Sequence, residues 1–223
     1  MAYGDGITKL SPCGSALVLP MLGEAFPSGA APRALLDAGC GRGERLRDCA
    51  AAWPGAALFG VDCDPENAAA ARLVNCPGTE IVTGDVCALP WADGRFDAAL
   101  CECTLSLLDA PERCLAELSR VLRPGGALLL GDLFTGAETP ERVCISREGA
   151  VRFLASRGWH ERAAEAAGFI IRKYRDCREE YLTMAAQMIF DGGDCCLGPG
   201  AFAALRQNKA SYGIWLLEKG VPR

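Results

Sequence analysis

Histidine is nearly absent from this chain. The single one, His160, has no cysteine neighbour, and no C-x-x-C spacing occurs; these absences argue against a paired-thiol zinc site, and no metal is expected. No stretch reaches the roughly 18 apolar residues that a membrane span needs. The start, MAYGDGITKLSPCGSALVLP, lacks the basic opening and apolar core of an export signal. No membrane partner is therefore expected, and the expected compartment is the cytoplasm. Positive charge is also short, with 23 Lys and Arg against 28 Asp and Glu, so the basic footprint of a nucleic-acid binder is missing. The one basic run, Arg172, Lys173, Arg175 and Arg178, is followed at once by Glu179 and Glu180 and reads as a solvated face.

Apolar residues and cysteine, by contrast, are plentiful. Half of the 223 residues are hydrophobic, enough to bury the core of one domain. The 13 cysteines are odd in number and, without an export signal, read as reduced thiols.

From about Pro32, short apolar runs alternate with Ala-, Glu- and Arg-rich stretches, the rhythm of a parallel sheet covered by helices. Strands are predicted over 33–37, 57–62, 80–83, 96–102, 127–132, 169–174 and 212–218. Asp64-Pro65-Glu66 predicts a helix start, since Asp64 can cap, Pro65 suits the first position and Glu66 favours the positive end of the dipole. Asp109-Ala110-Pro111-Glu112 predicts another helix, running to Leu122, which Arg123-Pro124-Gly125-Gly126 then stops. Residues 1–31 form an N-terminal extension placed to act as a lid. The domain proper spans 32–223, with an insertion at about 176–210 before the last strand.

The most informative stretch is Ala34-Leu35-Leu36-Asp37-Ala38-Gly39-Cys40-Gly41-Arg42-Gly43. An apolar strand ends near an acid, then glycines at alternate positions let the backbone pass close beneath a ligand. A dinucleotide loop, as in NAD-type oxidoreductases, would start at Gly39 and need a small residue at position 44. Glu44 stands there instead, where its carboxylate would oppose a pyrophosphate.

On these residues the chain resembles the class I S-adenosylmethionine-dependent methyltransferases, in particular the broad group that includes ubiquinone and menaquinone biosynthesis enzymes. Further segments carry the resemblance: Leu58-Phe59-Gly60-Val61-Asp62, then Thr83 to Pro90 with Asp93-Gly94-Arg95-Phe96-Asp97, then Leu118 to Gly126, and Ala166-Ala167-Gly168-Phe169. It implies an α/β fold, doubly wound, with a mostly parallel seven-stranded sheet in the order three-two-one-four-five-seven-six and an antiparallel seventh strand. The implied activity is methyl transfer from S-adenosylmethionine to a small-molecule acceptor; a non-catalytic cofactor-binding protein on the same scaffold is the alternative.

The resemblance also implies a cofactor site. Asp37 with Gly39, Gly41 and Gly43 is expected around the methionine portion, where a carboxylate suits the ammonium. Asp62 is expected on the ribose hydroxyls, Asp85 and the Val86 amide on the adenine edge, and Cys63 on the adenine face. Glu102 is expected near the methionine end.

The acceptor side is less determined. In open parallel sheets ligands sit beyond the carboxyl ends of the strands, so Cys101-Glu102-Cys103 lies at the rim. If the strand persists, Cys101 and Cys103 share a face about 6.6–7 Å apart with Glu102 opposite. They are candidates for a soft ligand or metalloid acceptor, core packing being the alternative. Cys195-Cys196 is a second such candidate. Glu102 and Asp132 are candidate bases, although a base matters only if the acceptor must lose a proton. His160 is expected on the surface. Tyr3, Asp5 and Ser11 to Gly14 are candidates to close over the cofactor, and Met184, Met188, Ile189 and Phe190 are expected on one core-facing helix side. With no N-P-P-Y-like tetrapeptide after the fourth strand, oxygen, carbon, sulfur and metalloid acceptors stay open.

Overall fold

The computed structural model describes residues 11–26, 30–74, 78–137, 139, 141–146, 151–190 and 201–221. Tyr3, Asp5, Cys195 and Cys196 lie outside them.

The first five strands are β1 (Ala34–Ala38), β2 (Ala57–Asp62), β3 (Glu80–Thr83), β4 (Phe96–Glu102) and β5 (Leu122–Thr135). They run parallel in the order β3-β2-β1-β4-β5. Every residue of β1 is buried, as expected of a central strand covered on both faces. The helices between them are α2 (Glu44–Ala52), α3 (Pro65–Val74) and α4 (Pro111–Val121), with α1 (Ser15–Gly23) preceding the sheet. The start of α3 follows the sequence reading, because Asp64 Oδ1 accepts from the Glu66 amide at 2.8 Å. The start of α4 also falls where the sequence placed it, within Asp109-Ala110-Pro111-Glu112. Asp109 caps nothing there; it pairs with Arg152 at 2.8 Å, and the helix opens at Pro111.

The C-terminal half adds β6 (Val143–Cys144), β7 (Phe153–Ser156), α5 (Arg157–Ala166), β8 (Phe169–Asp176), α6 (Arg178–Phe190), α7 (Ala201–Gln207) and β9 (Ala210–Lys219). β9 lies antiparallel between β5 and β8, which is the expected three-two-one-four-five-seven-six order with β8 and β9 as its sixth and seventh strands. The sequence reading missed β6 and β7. They exist because β5 outruns β4: beyond Gly131, the partner of Glu102, β5 has a free edge, and β7 takes it through Phe134↔Ala155 and Thr135↔Ser156.

Period-two alternation divides the core. Leu35, Leu58, Ala98, Leu100 and Leu129 pack under α1, α2, α3 and α6, while Leu36, Phe59, Ala99, Cys101 and Leu128 pack under α4 and α5. His160 corrects the surface expectation. It is 3% exposed, stacked on Trp215 at 5.2 Å with its Nδ1 3.0 Å from the Ser156 carbonyl oxygen. In α6, Met184 and Met188 face the core with Tyr181, but Ile189 and Phe190 are exposed.

Candidate active site

The loop between β1 and α2 is shaped by glycines. Gly39 has φ +79°, and a Cβ there would lie 2.3 Å from Thr104 Oγ1, so a side chain would displace the residues that follow β4. Gly43, at φ +82°, is the left-handed residue from which α2 begins. Gly41 differs. A Cβ on it would meet nothing within 4 Å, so the loop opens onto free space at this point. Its amide donates to Asp62 Oδ2 at 2.8 Å, and Asp62 Oδ1 accepts from the Asp64 amide at 2.9 Å. Asp62 thus ties the glycine loop to the end of β2 while lying at the open edge.

Asp37 lies beneath this opening, 4% exposed, and among the described residues no donor is hydrogen-bonded to its carboxylate. Burial, reinforced by the nearby Glu102 charge and opposed by Arg45, pushes its pKa up to about 7. Glu102, one strand over, is fully engaged. Arg45 Nε donates to Oε1 at 2.6 Å and Nη2 to Oε2 at 2.9 Å, and Ser11 Oγ donates to Oε2 at 2.7 Å. Burial works against charge on Arg45, and the Glu102 carboxylate outweighs it, so the guanidinium pKa lies above its ordinary value. Arg45 also reaches the Cys13 carbonyl oxygen at 2.9 Å and Ser15 Oγ at 2.5 Å. One guanidinium therefore joins the segment before α1, the first turn of α2 and the end of β4. Sequence reading missed Arg45, because no spacing rule links it to an acid 57 positions on.

At the other end of the edge, Asp62 stands opposite Thr83 in register. The charges of Asp62, Asp64 and Asp85 act on the exposed Cys63, whose pKa is raised first by burial. Asp85 is exposed and accepts from the Cys87 amide at 2.8 Å, while Val86 is buried in the core on the α4 side. The structure thus gathers Asp37, Gly39, Gly41, Gly43, Asp62, Cys63, Asp85 and Glu102 along the carboxyl edge of β1 to β4.

The cysteines flanking Glu102 correct the shared-face expectation. The strand ends at Glu102, and Cys103 has φ +51°, so the alternation breaks there. Cys101 points under α4, where its thiol is hydrogen-bonded to Cys114. Cys103 turns to the opposite side, its Sγ 3.6 Å from the Tyr212 hydroxyl. The pKa of each is raised well above the ordinary thiol range, Cys101 chiefly by the Cys114 hydrogen bond and then burial, Cys103 chiefly by burial. Both are neutral thiols at neutral pH. Among the described residues, no group of three or more His, Cys, Asp or Glu side chains is placed to hold a metal. No helix there is long and apolar enough to cross a membrane.

Asp132, the other candidate base, is completely buried. Its oxygens accept from the Ser106 amide at 2.9 Å and the Leu133 amide at 2.7 Å. Burial raises its pKa, with His160 opposing. Its evident work is to hold the single helical turn Leu105–Leu107 against β5.

Comparison with known proteins fits this geometry. Residues 36–130 match the family model described as a methyltransferase domain. A malonyl-acyl-carrier-protein O-methyltransferase of Pseudescherichia vulneris is 33% identical over 156 residues, 68% of this chain and 59% of that protein. Among solved structures, geranyl diphosphate methyltransferase in complex with S-adenosylmethionine superimposes with a TM-score of 0.71 at 20% identity, covering 92% of this chain and 85% of that one. The 4+2 cyclase SpnF gives 0.67 at 24% identity, covering 91% and 80%. The chain spans between 29% and 67% of the length of the curated relatives it matches first. Residues 36–130 thus carry a match to a methyltransferase domain, and the chain has the Rossmann-like fold of these solved structures.

Proposed function

We propose that this protein transfers a methyl group to a small-molecule acceptor, with the open edge between Asp37 and Asp85 holding the cofactor. The observation that carries the reading is Asp37: a buried carboxylate with no hydrogen-bond donor in place among the described residues, beside a glycine loop that leaves space above it. Burial disfavours its charged form, and a ligand's ammonium group would offset that. Asp37 is thus the ammonium partner, and Gly41 supplies the clearance above it. Asp62, already aligned by two amides, offers its remaining lone pairs to ribose hydroxyls. Cys63, Asp85 and the Val86 amide form the adenine end.

When bound, the cofactor supplies an electrophilic methyl group on a sulfonium. The work left to the protein is alignment and exclusion of water, worth up to roughly 7–11 kcal/mol in favourable cases. Glu102 is better suited to position than to accept a proton, because Arg45 and Ser11 occupy both its oxygens. In this reading Arg45 and Glu102 fasten the segment before α1 beside the methionine end. Residues 11–26 serve as part of the lid, and α6 and α7 as part of the acceptor cover. Tyr212 and Cys103 face each other beyond the end of β4 and border the acceptor space.

The test is calorimetric titration with S-adenosylhomocysteine and, separately, with NAD, followed by a radiolabelled methyl-transfer screen over acids, phenols, thiols and arsenite. Binding of S-adenosylhomocysteine that is lost in Asp62→Ala supports the site, and a response to NAD alone refutes it. A protein that binds the cofactor tightly but methylates nothing would favour the non-catalytic alternative.

A further inference from the structure

Asp85 and Val86, the proposed adenine end, stand on the connection from β3 to β4, which is neither helix nor strand. Its first turn closes on Asp85, whose Oδ1 accepts from the Cys87 amide at 2.8 Å and whose carbonyl oxygen accepts from the Ala88 amide at 3.0 Å. The next residue, Leu89, is gripped from α4 through its backbone. Its amide donates to Glu117 Oε2 at 2.7 Å, and its carbonyl oxygen accepts from Arg120 Nη2 at 2.9 Å. Arg120 Nη1 donates to the Trp91 carbonyl oxygen at 2.7 Å and to Asp93 Oδ1 at 2.9 Å. Its Nε and Nη2 also meet Glu117 Oε1 and Oε2, at 2.7 and 2.8 Å. All five N–H groups of one guanidinium are thus engaged. The Gly94 amide completes the clamp, donating to the Arg120 carbonyl oxygen at 3.0 Å.

We propose that Arg120 and Glu117 are positioning residues that set the base specificity of the cofactor site, by fixing where Asp85 and the Val86 amide stand. The inference rests on the proposed function, and neither residue touches the ligand. The path is short: from α4 to Leu89, then through the turn 85–88 to the Asp85 carboxylate. Val86 and Leu89 also bury their side chains in the core that α4 lines, so backbone and side chains are fixed together. An adenine amino group donates to Asp85, and the adjacent bare ring nitrogen accepts from the Val86 N–H. A hypoxanthine base puts a carbonyl oxygen and a ring N–H at those two places, so both contacts turn repulsive.

The chemistry of the pair suits positioning more than bulk stabilisation. The Arg120 and Asp93 side chains are 31% and 81% exposed, and ion pairs so placed contribute little to stability. What a planar guanidinium supplies is direction, a fixed fork that a flexible ammonium does not reproduce. The hydrogen bond from Arg120 holds the Glu117 carboxyl below its ordinary range, so Glu117 remains an acceptor for the Leu89 amide at neutral pH. The nearby Arg123 shows the contrast. It reaches Asp97 Oδ1 at 2.6 Å, and Asp97 accepts from the Arg33 and Ala34 amides, so that contact joins strands rather than the connection that carries Asp85.

The test is calorimetric titration of the full-length wild type, R120M and R120K with S-adenosylhomocysteine and with its hypoxanthine analogue, S-inosylhomocysteine. Wild type should prefer the adenine base by about tenfold or more, the worth of one or two hydrogen bonds. R120M should bind S-adenosylhomocysteine more weakly, with its preference narrowed to within about threefold as those bonds are lost. R120K, which keeps the charge but not the fork, should fall between the two. Amide hydrogen exchange over residues 86–89 should quicken by about tenfold or more in R120M while that of β1 stays as in wild type. A purely structural role would instead quicken β1 as well and leave the base preference unchanged. Full wild-type preference in R120M overturns the proposal, as does unchanged exchange over 86–89. Should R120M not fold, R120K decides, and full preference there overturns it equally. Wild type that binds neither ligand refutes the proposed cofactor site and this inference with it, whereas equal discrimination by wild type and R120M refutes this inference alone.

Discussion

Arg45 and Glu102 meet through two parallel hydrogen bonds, at 2.6 and 2.9 Å, with side chains only 11% and 9% exposed. The contact joins the helix that follows the glycine loop to the end of β4, the strand beside β1. In the proposed site it is the polar floor of the methionine end.

Removing one partner of such a pair should cost far more than removing both. A buried charge left without its partner typically destabilises by about 3–5 kcal/mol, whereas apolar replacement of the whole pair is often near neutral. We expect Arg45→Met to be strongly destabilised in urea, and the double variant Arg45→Met with Glu102→Leu to recover much of the loss. Equal losses in the single and double variants would mean that Ser11 and Ser15, not the ion pair, carry the contact.

Gly39 and Gly41 should fail in different ways when replaced by alanine. At Gly39 the added Cβ strikes Thr104 and the backbone is left-handed. Gly39→Ala should lower stability by more than the roughly 1–2 kcal/mol that left-handed backbone costs a non-glycine residue. At Gly41 the Cβ enters open space, so Gly41→Ala should bear only the backbone cost yet lose S-adenosylhomocysteine affinity. Unfolding midpoints and calorimetric titration of the two variants separate these effects, and undiminished affinity in Gly41→Ala would place the cofactor elsewhere.

The division between what the sequence revealed and what it did not follows from range. Strands β1 to β5 were legible because each is a local apolar run, and the glycine loop because Gly39 and Gly43 need a local conformation. The misses are non-local. Arg45 finds Glu102 only once β1 and β4 are neighbours. His160 looked like a surface residue in Arg-Gly-Trp-His-Glu because nothing nearby discloses that Trp215, far along the chain, supplies a stacking partner. The two-residue β6 and four-residue β7 exist only because β5 continues past β4. Cys103 misled through a period-two rule that holds only while a strand lasts.

Asp37 predicts a coupling between pH and ligand. Its folded pKa, about 7, is raised from an ordinary 3.8, first by burial. The protonated form therefore stabilises the apo protein, fully below pH 3.8 and progressively less as pH rises through about 7. The local slope approaches about 1.4 kcal/mol per pH unit between those limits. Asp37→Asn should remove this component. Because an ammonium favours the ionised carboxylate, wild-type S-adenosylhomocysteine affinity should rise through about pH 7 with proton release. Calorimetry in buffers of different ionisation enthalpy measures that release; finding none would deny Asp37 the ammonium contact.

His160 predicts the opposite sign. Burial holds its pKa below the ordinary 6.5, with Asp132 opposing, so the neutral ring belongs to the folded state and the unfolded chain takes up the proton first. The stability it contributes is full above pH 6.5 and is lost as pH falls through the depressed folded value. His160→Phe keeps an aromatic ring against Trp215 while giving up the hydrogen bond to the Ser156 carbonyl, a net cost of about 0.5–1.5 kcal/mol. The comparison is cleanest in an Asp37→Asn background, where the acid titrating in the opposite sense is gone. There, urea midpoints of the protein that retains His160 should fall between about pH 7 and 5.5, the range around the ordinary imidazole pKa. Those of the His160→Phe protein should stay flatter. Parallel slopes in the two proteins would show that Asp132 titrates in place of the imidazole.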